Sequence, residues 1–140
     1  MSIGLTTETE SAAATRTILY IEDNLLNLKL IQRLLARREG IQLIPAMQGR
    51  LGLELAREHA PHLILLDLHL PDINGDQVLA KLREDPLTAK TPVIMISADA
   101  TPGQIERLLA AGACAYLTKP IDVGEFYRVF DKTLGDVPSN

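Results

Sequence analysis

Between Thr17 and Leu134 the sequence alternates five short runs of leucine and β-branched residues with five longer segments whose apolar residues recur at helical spacing. Such alternation implies a parallel sheet covered on both faces, because right-handed crossovers lay helices across it. The fold class is therefore α/β, a doubly wound five-stranded parallel sheet with five helices. In sheets of this kind functional groups gather at the carboxyl ends of the strands, near the point where strand order reverses.

The strands read as "TILYI" (Thr17 to Ile21), "IQLIPA", "HLILLD", "VIMIS" (Val93 to Ser97) and "CAYLT". Pro45 places the second at an edge, since proline cannot donate to a ladder. Helices are expected from Leu25 to about Glu39, stopped by Gly40, and from Gly49 to His59. A third covers Gly75 to Arg83. A fourth opens with Thr101 as N-cap and Pro102 at the first helical position and ends at Gly112. The fifth, Val123 to Leu134, aligns Val123, Phe126, Phe130 and Leu134 in one apolar stripe.

A chain of 140 residues, 46% hydrophobic and 23% charged, has room for one such domain, here residues 17–135, between a loose polar leader (1–16) and a short tail (136–140). Its net charge of -4 supplies no global drive towards nucleic acid or an anionic membrane. No run approaches the roughly 20 apolar residues of a membrane span, so a cytoplasmic protein is expected. Cys114 is the only cysteine, which excludes an intrachain disulfide; in the run Gly112-Ala113-Cys114-Ala115 it reads as a buried structural thiol.

At the strand ends stand Glu22 and Asp23, then Asp67, Ser97 and Lys119. Asp67 closes an apolar run, where a carboxylate is costly without a partner. Three acids in one pocket repel one another unless a divalent cation lies among them, and hard oxygen donors suit Mg²⁺, with Mn²⁺ as a substitute. No His/Cys grouping argues for zinc. No GxxxxGK[ST] or GxGxxG is present, and the loop "EDNLLN" offers acids where a phosphate cradle offers glycines. A carboxylate beside Mg²⁺, with a lysine and a hydroxyl at the same spot, has the parts for phosphoryl transfer onto the carboxylate. Asp67 is the candidate nucleophile, Glu22 and Asp23 serve the metal, Lys119 neutralises developing charge, and Ser97 hydrogen-bonds the arriving phosphoryl oxygen. Each residue also has an ordinary reading, Glu22 and Asp23 as helix caps and Lys119 as a solvated charge. Their coincidence at five corresponding positions favours a site.

At these residues the chain resembles the receiver domain of bacterial two-component response regulators, from about Thr17 to Leu134. "ILYIEDN", "LILLDLHLPDINGDQVL", "PVIMISA" and "GACAYLTKP" match its four signature stretches in order. The resemblance implies the flavodoxin-like strand order 2-1-3-4-5 and phosphorylation of Asp67 by a histidine kinase or a histidine phosphotransfer protein. It implies Mg²⁺ held by Asp23, Asp67 and the backbone carbonyl of His69, with Glu22 acting through water, and a cis bond between Lys119 and Pro120 that aims the lysine inward. It further implies that Ser97 and Tyr116 are switch residues coupling Asp67 to the helix 4, strand 5, helix 5 surface. Glu22 stands where the family commonly has aspartate, and Ser97 where it has threonine; both keep the chemistry.

The His69 side chain is expected at the pocket rim, with Asp99, where it controls access of water. Lys29, Arg33 and Arg37 form a basic stripe on the first helix, read either as a solvated face or as a dock for the phosphodonor. The family implies a signalling phosphoprotein that catalyses only its own phosphorylation and dephosphorylation, not a conventional enzyme. The alternatives are an unphosphorylated pseudo-receiver working by protein contact and a flavodoxin-like enzyme. "EDNLLNLKLIQRLL" and "AYLTKPID" look more like receivers of hybrid histidine kinases than like stand-alone regulators.

Overall fold

The computed structural model describes residues 15–137. Most of the expected leader, and residues 138–140 of the tail, lie outside the described residues. Five strands, β1 (Arg16–Ile21), β2 (Ile41–Ala46), β3 (Leu63–Asp67), β4 (Val93–Ser97) and β5 (Ala115–Thr118), form one sheet in the order β2-β1-β3-β4-β5. Every neighbouring pair is parallel. The chain runs from β1 outward to β2 and then returns past β1 to β3, so strand order reverses between β1 and β3. Their carboxyl ends flank the crevice that such a reversal opens.

β3 and β4 are buried at every position, as strands covered on both faces must be. β2 lies at an edge, where Pro45 is exposed. Helices α1 (Leu25–Leu35) and α5 (Val123–Gly135) cover one face; α2 (Gly49–His59), α3 (Gly75–Glu84) and α4 (Pro102–Ala110) are the other crossover helices. Alternate strand residues feed two cores: Tyr20, Leu65 and Ile96 pack with Leu28, Ile31 and Phe126, whereas Leu19, Leu66 and Met95 pack with Ala56, Leu79 and Leu108.

Some local expectations fail for identifiable reasons. α1 stops at Leu35, because the chain tightens: the Arg37 and Arg38 amides donate to the carbonyls three residues back, and Gly40 takes a φ of 73°. Val123 is 44% exposed while Phe126 and Phe130 are buried; it opens α5 above the core, so the buried stripe starts one turn later. Thr101 holds the N-cap position of α4 without capping it, since its hydroxyl donates to Asp99 instead. Cys114 is exposed, while its neighbours Ala113, buried, and Ala115, half-buried, pack against the two cores on either side of it.

α3 sits unusually close to the end of β3. A Cβ on Gly75 would lie 2.3 Å from the carbonyl oxygen of Asp67 and 2.7 Å from Cα of Leu68, and the Gly75 amide donates to the Leu68 carbonyl at 2.7 Å. Only glycine permits this approach, which fixes the backbone bearing Asp67. Gly75→Ala is expected to destabilise the domain by about 1–3 kcal/mol through overpacking against main chain, read as a lower midpoint in urea unfolding.

Candidate functional site

Glu22 follows β1 and points to the same face as Tyr20, two residues earlier. That geometry buries its carboxylate, only 1% exposed, among four donors. The Tyr20 hydroxyl (3.0 Å), Asn27 Nδ2 (3.3 Å) and Lys119 Nζ (2.8 Å) all donate to Oε1, and the Asn24 amide donates to Oε2 at 3.1 Å. Asn24 itself caps α1, accepting from the Asn27 amide at 3.0 Å. The cap is therefore Asn24, while Glu22 belongs to the pocket.

Asp67, the last residue of β3, is 3% exposed and accepts from Lys119 Nζ at 3.1 Å. Lys119 is thus shared between two buried carboxylates and is no solvated charge. It reaches them because β5 continues beside β4, the Lys119 amide donating to the Ser97 carbonyl at 2.9 Å. The Lys119–Pro120 peptide bond is cis. Asp23 is exposed, yet its carboxylate and those of Glu22 and Asp67 offer oxygens within 4.8 Å of one another.

Charge here is deliberately out of balance. Burial pushes the Asp67 carboxyl above the ordinary range, repulsion from Glu22 adds to the rise, and Lys119 offsets only part of it. Burial draws the Lys119 ammonium down, but its bonds and attraction to Glu22 and Asp67 outweigh that and leave it raised. Tyr20 is pushed far above its ordinary value by burial and by the Glu22 charge, so its phenol stays protonated. One ammonium facing three carboxylates, all with hard oxygen atoms, fits a divalent cation of the Mg²⁺ or Mn²⁺ type.

Around this centre the loops are held in different ways. Asp72, in the β3–α3 loop, accepts the Gly49 and Arg50 amides at 2.7 and 2.8 Å, stapling the loop to the start of α2; these bonds hold its carboxyl down at about 2. On the other side Ser97, fully buried, accepts the Asp99 amide at 3.1 Å on its hydroxyl, and the Tyr116 hydroxyl donates to the Asp99 carbonyl at 2.5 Å. Asp99 has a lowered carboxyl through its bonds from Thr101, with the nearby His69 assisting. His69 is exposed at the rim. Lys29 and Arg33 are exposed on α1, whereas Arg37 is exposed in the turn beyond its end, so the expected stripe outlasts the helix; none of the three forms an ion pair with any described residue. The structure therefore brings Glu22, Asp23, Asp67 and Lys119 into one cluster, with Ser97 and Tyr116 linked through Asp99 beside it and the stripe apart from it. Tyr20, Asn24, Asn27 and Asp72 belong to this architecture and were not singled out from sequence. The i, i+2 relation of Tyr20 to Glu22 was the available signal.

The profile of the response regulator receiver domain matches residues 18–131. The polar-differentiation response regulator DivK of Brucella ovis is 39% identical over 122 residues, covering 87% of this chain and 98% of that protein. The receiver domain of the sensor histidine kinase PA1611 of Pseudomonas aeruginosa, solved with a magnesium ion coordinated in its active-site cleft, superposes with a TM-score of 0.78 at 29% identity, covering 88% of this chain and all of that one. The Mn²⁺-bound form of the response regulator Rcp1 superposes at 0.71 with 26% identity, over 86% of this chain and 90% of that one. Among the described residues no helix is long and apolar enough to cross a membrane.

The raised Asp67 carboxyl has a thermodynamic sign. Its folded pKa lies above its unfolded one, so the native state holds the proton more tightly and stability falls as pH rises from the ordinary carboxylate value of about 3.9 through the folded pKa. In metal-free buffer, Asp67→Asn is expected to raise the melting temperature at pH 7, the gain shrinking as pH falls towards 4. Melting curves of both proteins across that range check it.

Proposed function

The chain belongs to the response regulator receiver family, and from that membership we propose that Asp67 accepts a phosphoryl group from a phosphohistidine on a histidine kinase or histidine phosphotransfer protein. The observation that carries this reading is the position of Asp67: buried, at the switch point of the sheet, with Lys119 Nζ 3.1 Å from its carboxylate. A carboxylate oxygen attacks phosphorus, the new O–P bond forms as the N–P bond breaks, and the electron pair returns to the partner's imidazole, which takes a proton from solvent. Lys119 meets the charge on the transferred oxygens. Glu22, Asp23, Asp67 and the His69 carbonyl are the groups that would hold Mg²⁺, or Mn²⁺ in its place, whose charge lowers repulsion between donor phosphate and pocket.

The phosphorylated state is read out through Ser97. Its hydroxyl now accepts the Asp99 amide. Turning to donate to a phosphoryl oxygen frees that amide, and the same residue's carbonyl holds the Tyr116 hydroxyl, so α4, β5 and α5 respond together. Lys29 lines an apolar groove with Leu25, Met47 and Leu51, Leu25 being 56% exposed, and the donor docks there, with Arg33 and Arg37 further along the chain adding positive charge. Phosphorylation and loss of the phosphate are the only chemistry, without turnover of an external small molecule, and the cytoplasm is the place of action. A pseudo-receiver has no need of a buried lysine shared between two carboxylates.

With a phosphorylated histidine donor and Mg²⁺, the protein is expected to gain an acid-stable, alkali-labile phosphate that disappears with chelator or with Asp67→Asn. A wild-type protein unlabelled by every donor, acetyl phosphate included, overturns the reading. Reversing charge at Arg33 and Arg37 to glutamate is expected to slow transfer from the protein donor by about tenfold, leaving labelling by acetyl phosphate unchanged.

A further inference from the structure

The Glu22 carboxylate presents an unusual pattern of partners. Tyr20, Asn27 and Lys119 converge on Oε1, and the Asn24 amide serves Oε2. A carboxylate has about four lone-pair sites, two on each oxygen, so Oε1 is fully subscribed while Oε2, with one amide donor, keeps a site open towards a metal or water. Of these donors the Lys119 ammonium is the one also shared with Asp67. The other three are a buried phenol, a side-chain amide on α1 and a backbone amide, whose hydrogen bonds go to Glu22 and not to Asp67.

We propose that Tyr20 is a positioning residue for the phosphorylation of Asp67: its hydroxyl keeps Glu22 covered while Lys119 swings from Glu22 to the phosphoryl group. The inference rests on Asp67 being the acceptor, and it concerns how the lysine is released. When Asp67 carries phosphate, the strongest acceptor near Nζ is a phosphoryl oxygen, and the ammonium moves towards it. A buried carboxylate left without donors would oppose that move, because an unsatisfied charge inside a protein is strongly disfavoured. Tyr20 sits at 1% exposure within the core packed between the sheet and α1, fixed by its neighbours, so its hydroxyl stays in place as the lysine turns. Asn27 supports the same oxygen from α1.

Tyr20→Phe removes one oxygen and little else, and its two consequences have opposite directions. Glu22 becomes less neutralised, so it attracts Mg²⁺ more strongly and grips Lys119 more tightly. The retained lysine then stabilises the phosphoryl group less. Calorimetric titration of the unphosphorylated protein with MgCl₂ is expected to give tighter binding, and labelling of Asp67 by acetyl phosphate at saturating Mg²⁺ is expected to slow by about tenfold, the scale of one hydrogen bond to a charged group. A general weakening of the fold would lower both Mg²⁺ affinity and labelling, so the split separates the roles. Asn27→Ala, which removes a second donor from the same oxygen at a half-buried helix position, is expected to show the same split and serves if the Phe variant does not fold. Unchanged labelling, or affinity and labelling falling together, overturns the proposal. A wild-type protein that binds Mg²⁺ but is not labelled instead overturns the reading of Asp67.

Discussion

One ammonium held between two buried carboxylates organises this protein. Lys119 lies 2.8 Å from Glu22 and 3.1 Å from Asp67, and neither acid is more than 3% exposed. Removing the lysine would strand buried carboxylates, a loss that typically costs about 3–5 kcal/mol, whereas neutralising Asp67 leaves Lys119 paired with Glu22. Yet the lysine does not balance the cluster, since Glu22, Asp23 and Asp67 together outnumber it. The pocket is therefore strained electrostatically in a defined direction: it takes up positive charge readily, and Asp67 loses anionic character readily. On the proposed reading, conversion of the Asp67 carboxylate to an acyl phosphate moves its charge onto the phosphoryl oxygens, where Lys119 can meet it.

The fold exists to bring those groups together from distant parts of the chain. Glu22 comes from the end of β1, Asp67 from the end of β3, and Lys119 from the end of β5, a strand that lies two places away from β3. Parallel pairing aligns all the carboxyl ends at one rim, so three short loops can meet although 97 residues separate Glu22 from Lys119. Gly75 adds the fine adjustment, letting α3 start against the main chain of Asp67. Depth of the core on either side of β3 and β4 keeps that rim rigid.

Much of this was legible in the residues. The period of the apolar runs gave the strands and helices, Pro45 marked the edge, and an aspartate ending a fully apolar run announced a site, because burial of a carboxylate demands a reason. What stayed illegible depended on three-dimensional neighbours. Tyr20 looked like one more strand residue, since nothing in "TILYI" says that its hydroxyl reaches Glu22. Val123 fits the helical period of α5, but the period cannot tell that the helix begins above the core. Thr101 has the right chemistry for a cap and found a stronger acceptor in Asp99. Cys114 followed its small neighbours in type without following Ala113 inward.

The two banks of the crevice are anchored unequally. On the β3 side, both oxygens of Asp72 are tied to the main chain of α2, so that bank is fastened to the helix packed beside α3 in the same core. On the β4 side, the loop hangs on single, replaceable contacts: a serine oxygen at Asp99 and a tyrosine hydroxyl at its carbonyl. A disturbance at Asp67 consequently meets a wall in one direction and a hinge in the other. On the proposed reading of Asp67, the β4 and β5 edge is the bank that gives way first, and so the side on which a change of charge at the crevice becomes a change of shape.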